Sequence, residues 1–195
     1  MRKILLIFCL AVATTGFSQK VKLVEGSLKA LKGETVITTE FTYDDMKIGK
    51  DGLTEEDYIA RKKKDYDAKE VGRGDKWEKA WFADRKERFE PQFNELFEKH
   101  AKVATKGQSK YTIIFKTTRT EPGWNVGVAR AAARIDGEAW VIETANPLNV
   151  IAKITVTNAP GRDAMGYDFD TGYRIQEAYA KSGKEIGKLI IAQTK

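Results

Sequence analysis

The chain has 195 residues, 42% of them hydrophobic, with 34 Lys and Arg against 28 Asp and Glu and a formal net charge of +6. It holds one His and one Cys, which excludes a zinc enzyme, a disulfide framework and most nucleophile–imidazole chemistry before any motif is sought.

Residues 1–18 read as a signal peptide. Arg2-Lys3 is a basic start, Ile4 to Ala13 is an apolar run too short to span a bilayer, and Gly16 and Ser18 are the small residues a signal peptidase reads. Cleavage is expected after Ser18. Cys9 lies inside the apolar run behind bulky Phe8, which argues against a lipid-modified cysteine. No later stretch reaches the roughly 18 apolar residues of a membrane span, so no transmembrane segment is expected after cleavage. Arg2 and Lys3 leave with the segment and no acid does, so the net charge falls by two, to +4. Cys9 leaves as well. An exported, cysteine-free chain fits the bacterial periplasm or exterior, and must rely on a packed core in residues 19–195.

Val21 to Lys32 is weakly patterned. Ile37, Thr39, Phe41 and Tyr43 then alternate with Val36, Thr38, Glu40 and Thr42, which predicts a strand. Met46 to Leu53 reads as a loop. Thr54 with Asp57 resembles a capping box and opens a helix from Glu55 to about Lys69. Its basic run, Arg61-Lys62-Lys63-Lys64, is interleaved with Glu55, Glu56, Asp57, Asp65 and Asp67, so it reads as a solvated helix face rather than a nucleic-acid patch. Val71 to Asp75 reads as a loop. Its Arg-Gly-Asp tripeptide is too short to argue adhesion, and Asp75 with Glu78 has the form of a second capping box.

The next helix carries Trp77, Trp81, Phe82, Phe89, Phe93, Leu96 and Phe97. Pairs four residues apart place these rings on one face, which predicts core rather than a sugar-stacking platform. Pro91 either kinks this helix or begins a second one. His100 to Lys110 is a polar connection.

Tyr111 to Thr117 is β-branched and aromatic, a strand, and Glu121-Pro122-Gly123-Trp124 is a turn with Gly at the position that takes a positive φ. Asp136-Gly137 before Ala139-Trp140-Val141-Ile142 is either a two-residue hairpin or a bulge within one strand over about 132–144. Asn146-Pro147 is expected to break the run, and Val150 to Thr157 alternates as a strand covered on one side, ended by Ala159-Pro160-Gly161. The last element is a helix with one apolar stripe: Ile175, Ala178, Tyr179, Ser182, Ile186, Leu189 and Ile190. Asp170 or Thr171 is its N-cap. Gly183 and Gly187 weaken it and are expected to let it approach the sheet closely.

The chemistry left to such a chain is carboxylate chemistry. A glycosidase needs two acids about 5 to 10 Å apart, for which Asp163, Asp168 and Asp170 with Glu138 and Glu143 are the candidates. Asp163 to Asp170 also resembles a loose acidic loop for a hard cation, without EF-hand spacing. The simpler reading is that Asp168 and Asp170 cap the last helix, with Arg174 pairing with one of them across the first turn. No glycine-rich phosphate loop and no Gly-x-Ser-x-Gly setting occurs. No cofactor, metal or catalytic residue is therefore expected.

The order of elements, from the strand Thr35–Tyr43 through the helix ending in Phe93–Phe97 to three strands and the Gly172–Gln193 helix, resembles the small α+β domain at the N-terminus of TolB and in CsgG-type periplasmic proteins. The phrases EPGWNVGV and DFDTGYRIQEAYAKSGKEIGKLI are similar to a family of secreted Gram-negative proteins of unknown function. No catalytic residue carries over, and the charged, Trp-rich helices from Glu55 depart from the TolB pattern. The expected architecture is one α+β domain over 19–195, with a helical insertion at about 55–100. A single mixed or antiparallel sheet of four to five strands has helices on one face and a long C-terminal helix. The resemblance implies a module that binds another envelope protein, not nucleic acid. Trp124, Tyr167 and Phe169, large aromatics in predicted turns, are the candidate recognition patch, with Asp168, Asp170 and Arg174 beside them. The alternatives are a carbohydrate-binding protein or glycoside hydrolase using Trp77 or Trp81 with the acids near 163–170, and a structural subunit of an envelope oligomer.

Overall fold

The computed structural model describes residues 19–125, 130–162 and 170–195. The signal-peptide expectation thus lies outside the described residues, as do Asp163, Tyr167, Asp168 and Phe169.

The strands are β1 (Lys20–Gly26), β2 (Thr38–Thr42), β3 (Lys47–Ile48), β4 (Tyr111–Glu121), β5 (Trp124–Asn125), β6 (Arg130–Ala131), β7 (Arg134–Glu143) and β8 (Asn146–Pro160). The helices are α1 (Glu55–Asp67), α2 (Arg73–Asp84), α3 (Glu90–Ala101) and α4 (Thr171–Gln193). The fold is α+β. Its six-stranded mixed sheet has the order β1-β8-β7-β4-β2, with β3 following β2 along the same edge of β4. β2 and β3 run parallel to β4, and the other pairings are antiparallel.

Alternation decides which face is covered. Ile113, Phe115 and Thr117 of β4, Ile135, Ala139 and Val141 of β7, and Ala152, Ile154 and Val156 of β8 are all buried. Phe93 of α3 meets Phe41 and Phe115 at 5.2 and 5.0 Å between ring centroids, and Tyr179 of α4 stacks on Phe89 at 4.8 Å. Rings of this size contribute the largest area removed from water in the core. On the other face Ile114, Trp140 and Lys153 fall in register across three strands. There Lys153 lies 5.1 Å over the Trp140 ring and reaches Glu25 at 2.8 Å.

Several expectations are corrected. The weakly patterned start forms an edge strand, β1, and a 3-10 turn at Leu28–Leu31 capped by Ser27. Of the two readings left open for Asp136-Gly137, the bulge inside β7 is the one found: the pairing with β8 slips between Ile135 and Gly137. A Cβ at Gly137 would lie 2.7 Å from Phe115 Cζ, so the absent side chain makes room for that ring. Asn146-Pro147 begins β8 instead of breaking it. Arg73-Gly74-Asp75 is the first turn of α2, not a loop, and Asp75 is not its cap. Asp67 supplies the capping oxygen, accepting the Gly74 N–H at 2.8 Å, while Asp75 and Glu78 both hold Lys63 of α1. Pro91 stands in the first turn of α3, and a π-helical turn, Arg85–Phe89, joins α2 to it. Proline lacks the N–H of an interior position, so the ladder is re-formed in a wider turn just before it. Gly183 and Gly187 approach α3 and not the sheet: a Cβ at Gly183 would lie 2.2 Å from the Phe93 carbonyl oxygen.

Thr54 caps α1 as expected, accepting the Asp57 N–H at 3.1 Å. Trp77 and Trp81 stack on each other at 5.6 Å, Trp77 also stacks on Tyr66, and Trp81 meets Tyr58 at a tilt of 51°. Trp81 is 5% exposed and its Nε1 donates to Glu55. The indoles therefore glue α1 to α2, and Trp81 is no sugar platform.

Candidate functional site

Three central strands lose register at the same level of the sheet. β4 is irregular between Thr117 and Arg119, opposite the Gly137–Asp136 step of β7, and β8 is irregular before Ala159. Asn158 in β8 has φ 54°. Bulges bend strands and re-aim their side chains. At this level Asp136 accepts from Arg119 Nε at 2.7 Å with one oxygen and from the Asn158 N–H at 2.7 Å with the other.

Beyond this level the chain leaves the sheet. Gly123 adopts φ 74°, as the predicted turn requires, and its N–H donates to the Glu121 carboxylate at 3.2 Å. Trp124 and Asn125 then pair with Ala131 and Arg130 in a small separate ribbon, β5–β6. The turn is tied to α4, because Arg174 Nε donates to the Pro122 carbonyl at 3.2 Å. The Arg162 N–H donates to the Arg174 carbonyl, and the Gly161 N–H to the Ala133 carbonyl, binding the end of β8 to the start of α4 and β7.

Two adjoining clefts open here. One, of about 250 Å³, is lined by Gly49, Lys50 and Asp51 of the β3–α1 loop, Tyr58, Arg61 and Lys62 of α1, and Glu121 to Trp124. The other, of about 610 Å³, is lined by Lys50, Arg119, Glu121, Arg130 to Ala132, Arg134 and Asn158. Lys50 and Glu121 belong to both. Six cations and two acids line the pair. Burial holds the Lys62 ammonium below its ordinary pKa, and Arg61, Lys69 and Arg174 lower it further against the pull of Asp65. Burial is the largest of these causes, so the shift reports chiefly a partly desolvated ammonium at the cleft wall.

The predicted site residues divide. Trp124 lies on this surface, 39% exposed. Arg174 is buried behind it and braces the turn through its contact with Pro122 and another with Thr171 Oγ1. Asp170 is the N-cap of α4, accepting the Tyr173 N–H at 2.9 Å. Its carboxylate is gripped by Arg88 at 2.7 Å through both oxygens. Burial works to raise the Asp170 pKa, but Arg88 and the Tyr173 N–H outweigh it and leave the group below the usual carboxylate range. Next to it, Asp84 is pushed up to about 6, because burial outweighs its pair with Arg88. Asp170 is thus a structural clamp between the helical segment and α4. Lys50, Arg119, Arg130 and Arg134 were not singled out in the sequence, because no spacing connects them; only the three-dimensional arrangement does.

A polar pair lies elsewhere in the core. The Tyr43 hydroxyl and Glu90 Oε1 are buried without a hydrogen-bond partner among the described residues, and neither residue lines the clefts above. Also among the described residues, no helix is long and apolar enough to cross a membrane. Comparison of the chain with models of protein families, with characterised proteins and with solved structures finds no match.

Proposed function

We propose that the chain is an exported, non-catalytic module that binds another protein of the bacterial envelope, using the end of the sheet around Trp124. The single observation behind this reading is the exposed Trp124 on a turn braced by the Glu121–Gly123 and Arg174–Pro122 hydrogen bonds. A large indole in a rigid, half-open position is the kind of anchor that carries interface energy at little ordering cost. The leader-like first 18 residues and the cysteine-free remainder supply the compartment. The TolB-like and CsgG-like order of elements supplies an analogy for envelope partners, at the level of fold alone.

Site-specific photocrosslinking in the producing cell tests the proposal. A photoreactive residue at position 124 is expected to form a discrete protein adduct, and the same residue at exposed position 188 on α4 is not. Equal yields at the two positions would refute it. A second reading has one observation in its favour. Asp51 and Glu121 line the smaller cleft together with Trp124, the residue types of a saccharide subsite. Shifts of the Trp124 indole signal with neutral oligosaccharides, and not with proteins, would favour that reading.

A further inference from the structure

We propose that the two joined clefts beside Trp124 seat an extended acidic segment of the partner polypeptide. This rests on the binding-module reading and adds the chemistry of what is bound. Lys50, Arg61, Lys62, Arg119, Arg130 and Arg134 reach the trough from α1, β4, β6, β7 and the β3–α1 loop. Guanidinium forks match carboxylates in a planar, two-point geometry that a lysine does not offer, and half of these cations are arginines on strands. Asp136, itself fixed by the Asn158 N–H through its other oxygen, holds one of the forks, Arg119, by accepting from its Nε.

The two acids in the lining decide the kind of polyanion. Asp51 and Glu121 repel a phosphate backbone, which has no hydrogen-bond donor to offer them. A peptide presents an N–H at every residue and can donate to both while its own carboxylates meet the cations. An extended chain advances about 3.3 Å per residue with side chains alternating between two directions. Acids on one side then meet the basic wall, and an apolar or aromatic residue on the other meets Trp124. Six cations against two acids along the lining give the trough the charge complementary to such a segment.

The test uses fluorescence anisotropy of a labelled oligoglutamate peptide on the protein lacking residues 1–18, at low salt. Wild type is expected to bind, with affinity falling as salt rises. The double variant Lys50→Glu, Arg130→Glu is expected to lose about tenfold or more. The double variant Lys29→Glu, Lys99→Glu, with the same change in net charge at exposed positions on the 3-10 turn and α3, is expected to bind like wild type. Equal losses in the two variants, no binding by wild type, or binding of inorganic polyphosphate in place of the peptide each overturn the proposal. Should the cleft variant fail to fold, the indole NMR signals of wild type decide. Trp124, assigned through Trp124→Phe, must shift on titration more than Trp140 on the open sheet face, and the reverse order overturns it. If position 124 crosslinks a partner while oligoglutamate does not bind, the module reading stands and this inference falls.

Discussion

Gly183 separates two opposite expectations for one methyl group. On an open helix, Gly→Ala stabilises by about 1 kcal/mol, because glycine loses more backbone freedom on folding. Here the added Cβ would lie 2.2 Å from the Phe93 carbonyl oxygen and 3.0 Å from its carbon. A comfortable carbon–oxygen contact is about 3.3 Å, so the α3–α4 spacing must open by roughly 1 Å. The obstacle is backbone inside a helix and cannot turn away. Overpacking of this kind costs about 1–3 kcal/mol. With clash at the top of that range and the propensity gain subtracted, Gly183→Ala is expected to destabilise by about 2 kcal/mol. For a domain of this size the melting temperature should fall by about 4–8 °C. Gly187→Ala is the graded control, since its nearest atom, Ala101 N, is 2.8 Å away. It should cost less. Thermal and urea unfolding followed by circular dichroism measure both. A Gly183→Ala protein as stable as wild type, or more so, would refute the close-packed α3–α4 contact.

Asp84 gives a pH signature. Its folded pKa is raised to about 6 from an ordinary value of 3.8, so the protonated form is favoured in the fold. The associated stability is fully present below pH 3.8 and is lost as pH rises through about 6. Asp84→Asn should therefore flatten the decline in urea midpoint between pH 4 and 7. An unchanged pH slope in the variant counts against a buried carboxyl. Thr54→Ala removes the cap of α1 and is expected to cost about 1 kcal/mol in urea unfolding; a change under a few tenths would show that α1 is held by its Trp contacts alone. Trp124→Ala should leave the unfolding midpoint within about 0.5 kcal/mol of wild type, as for other exposed positions, while abolishing adducts formed by a photoreactive residue placed at exposed Lys50. A large stability loss would place Trp124 in the core instead.

Much of the fold is written in local pattern. The alternation in β8 points to its buried face at Ala152, Ile154 and Val156, and the α4 stripe from Ile175 to Ile190 is buried except for half-covered Leu189. What failed locally was decided by distant partners. Asp75 and Glu78 have the spacing of a capping box, yet both are drawn to Lys63 on the neighbouring helix. Gly137 had two readings until Phe115 on the adjacent strand required its space. Gly183 and Gly187 announced a close approach, but to the sheet and not to α3, because sequence spacing gives the face of a helix and not its neighbour. β1 was lost because an edge strand buries little, and the alternation of Val21 and Leu23 with Lys20 and Lys22 is cut short by exposed Val24.

The candidate site divides for the same reason. Trp124 was legible because Pro122-Gly123 fixes a turn, and an indole carried on a turn has no element of its own to bury it. The acids of the α4 entrance read more simply as caps than as chemistry, and Asp170 is such a cap, held by Arg88 from a segment 82 residues away in sequence. The basic trough had no sequence signature, because its members are spread over five segments and each alone is an ordinary surface cation. They converge because β4, β7 and β8 slip register together, turning Arg119, Asp136 and Asn158 into one hydrogen-bonded unit at the end of the sheet. A sheet whose only task was to back a core would gain nothing from three irregular strands at one level. Here the slip lets the chain leave the sheet at Pro122, present Trp124, and return through Arg130 and Arg134, so the departure from regular pairing is what makes a concave, charged surface available at that end.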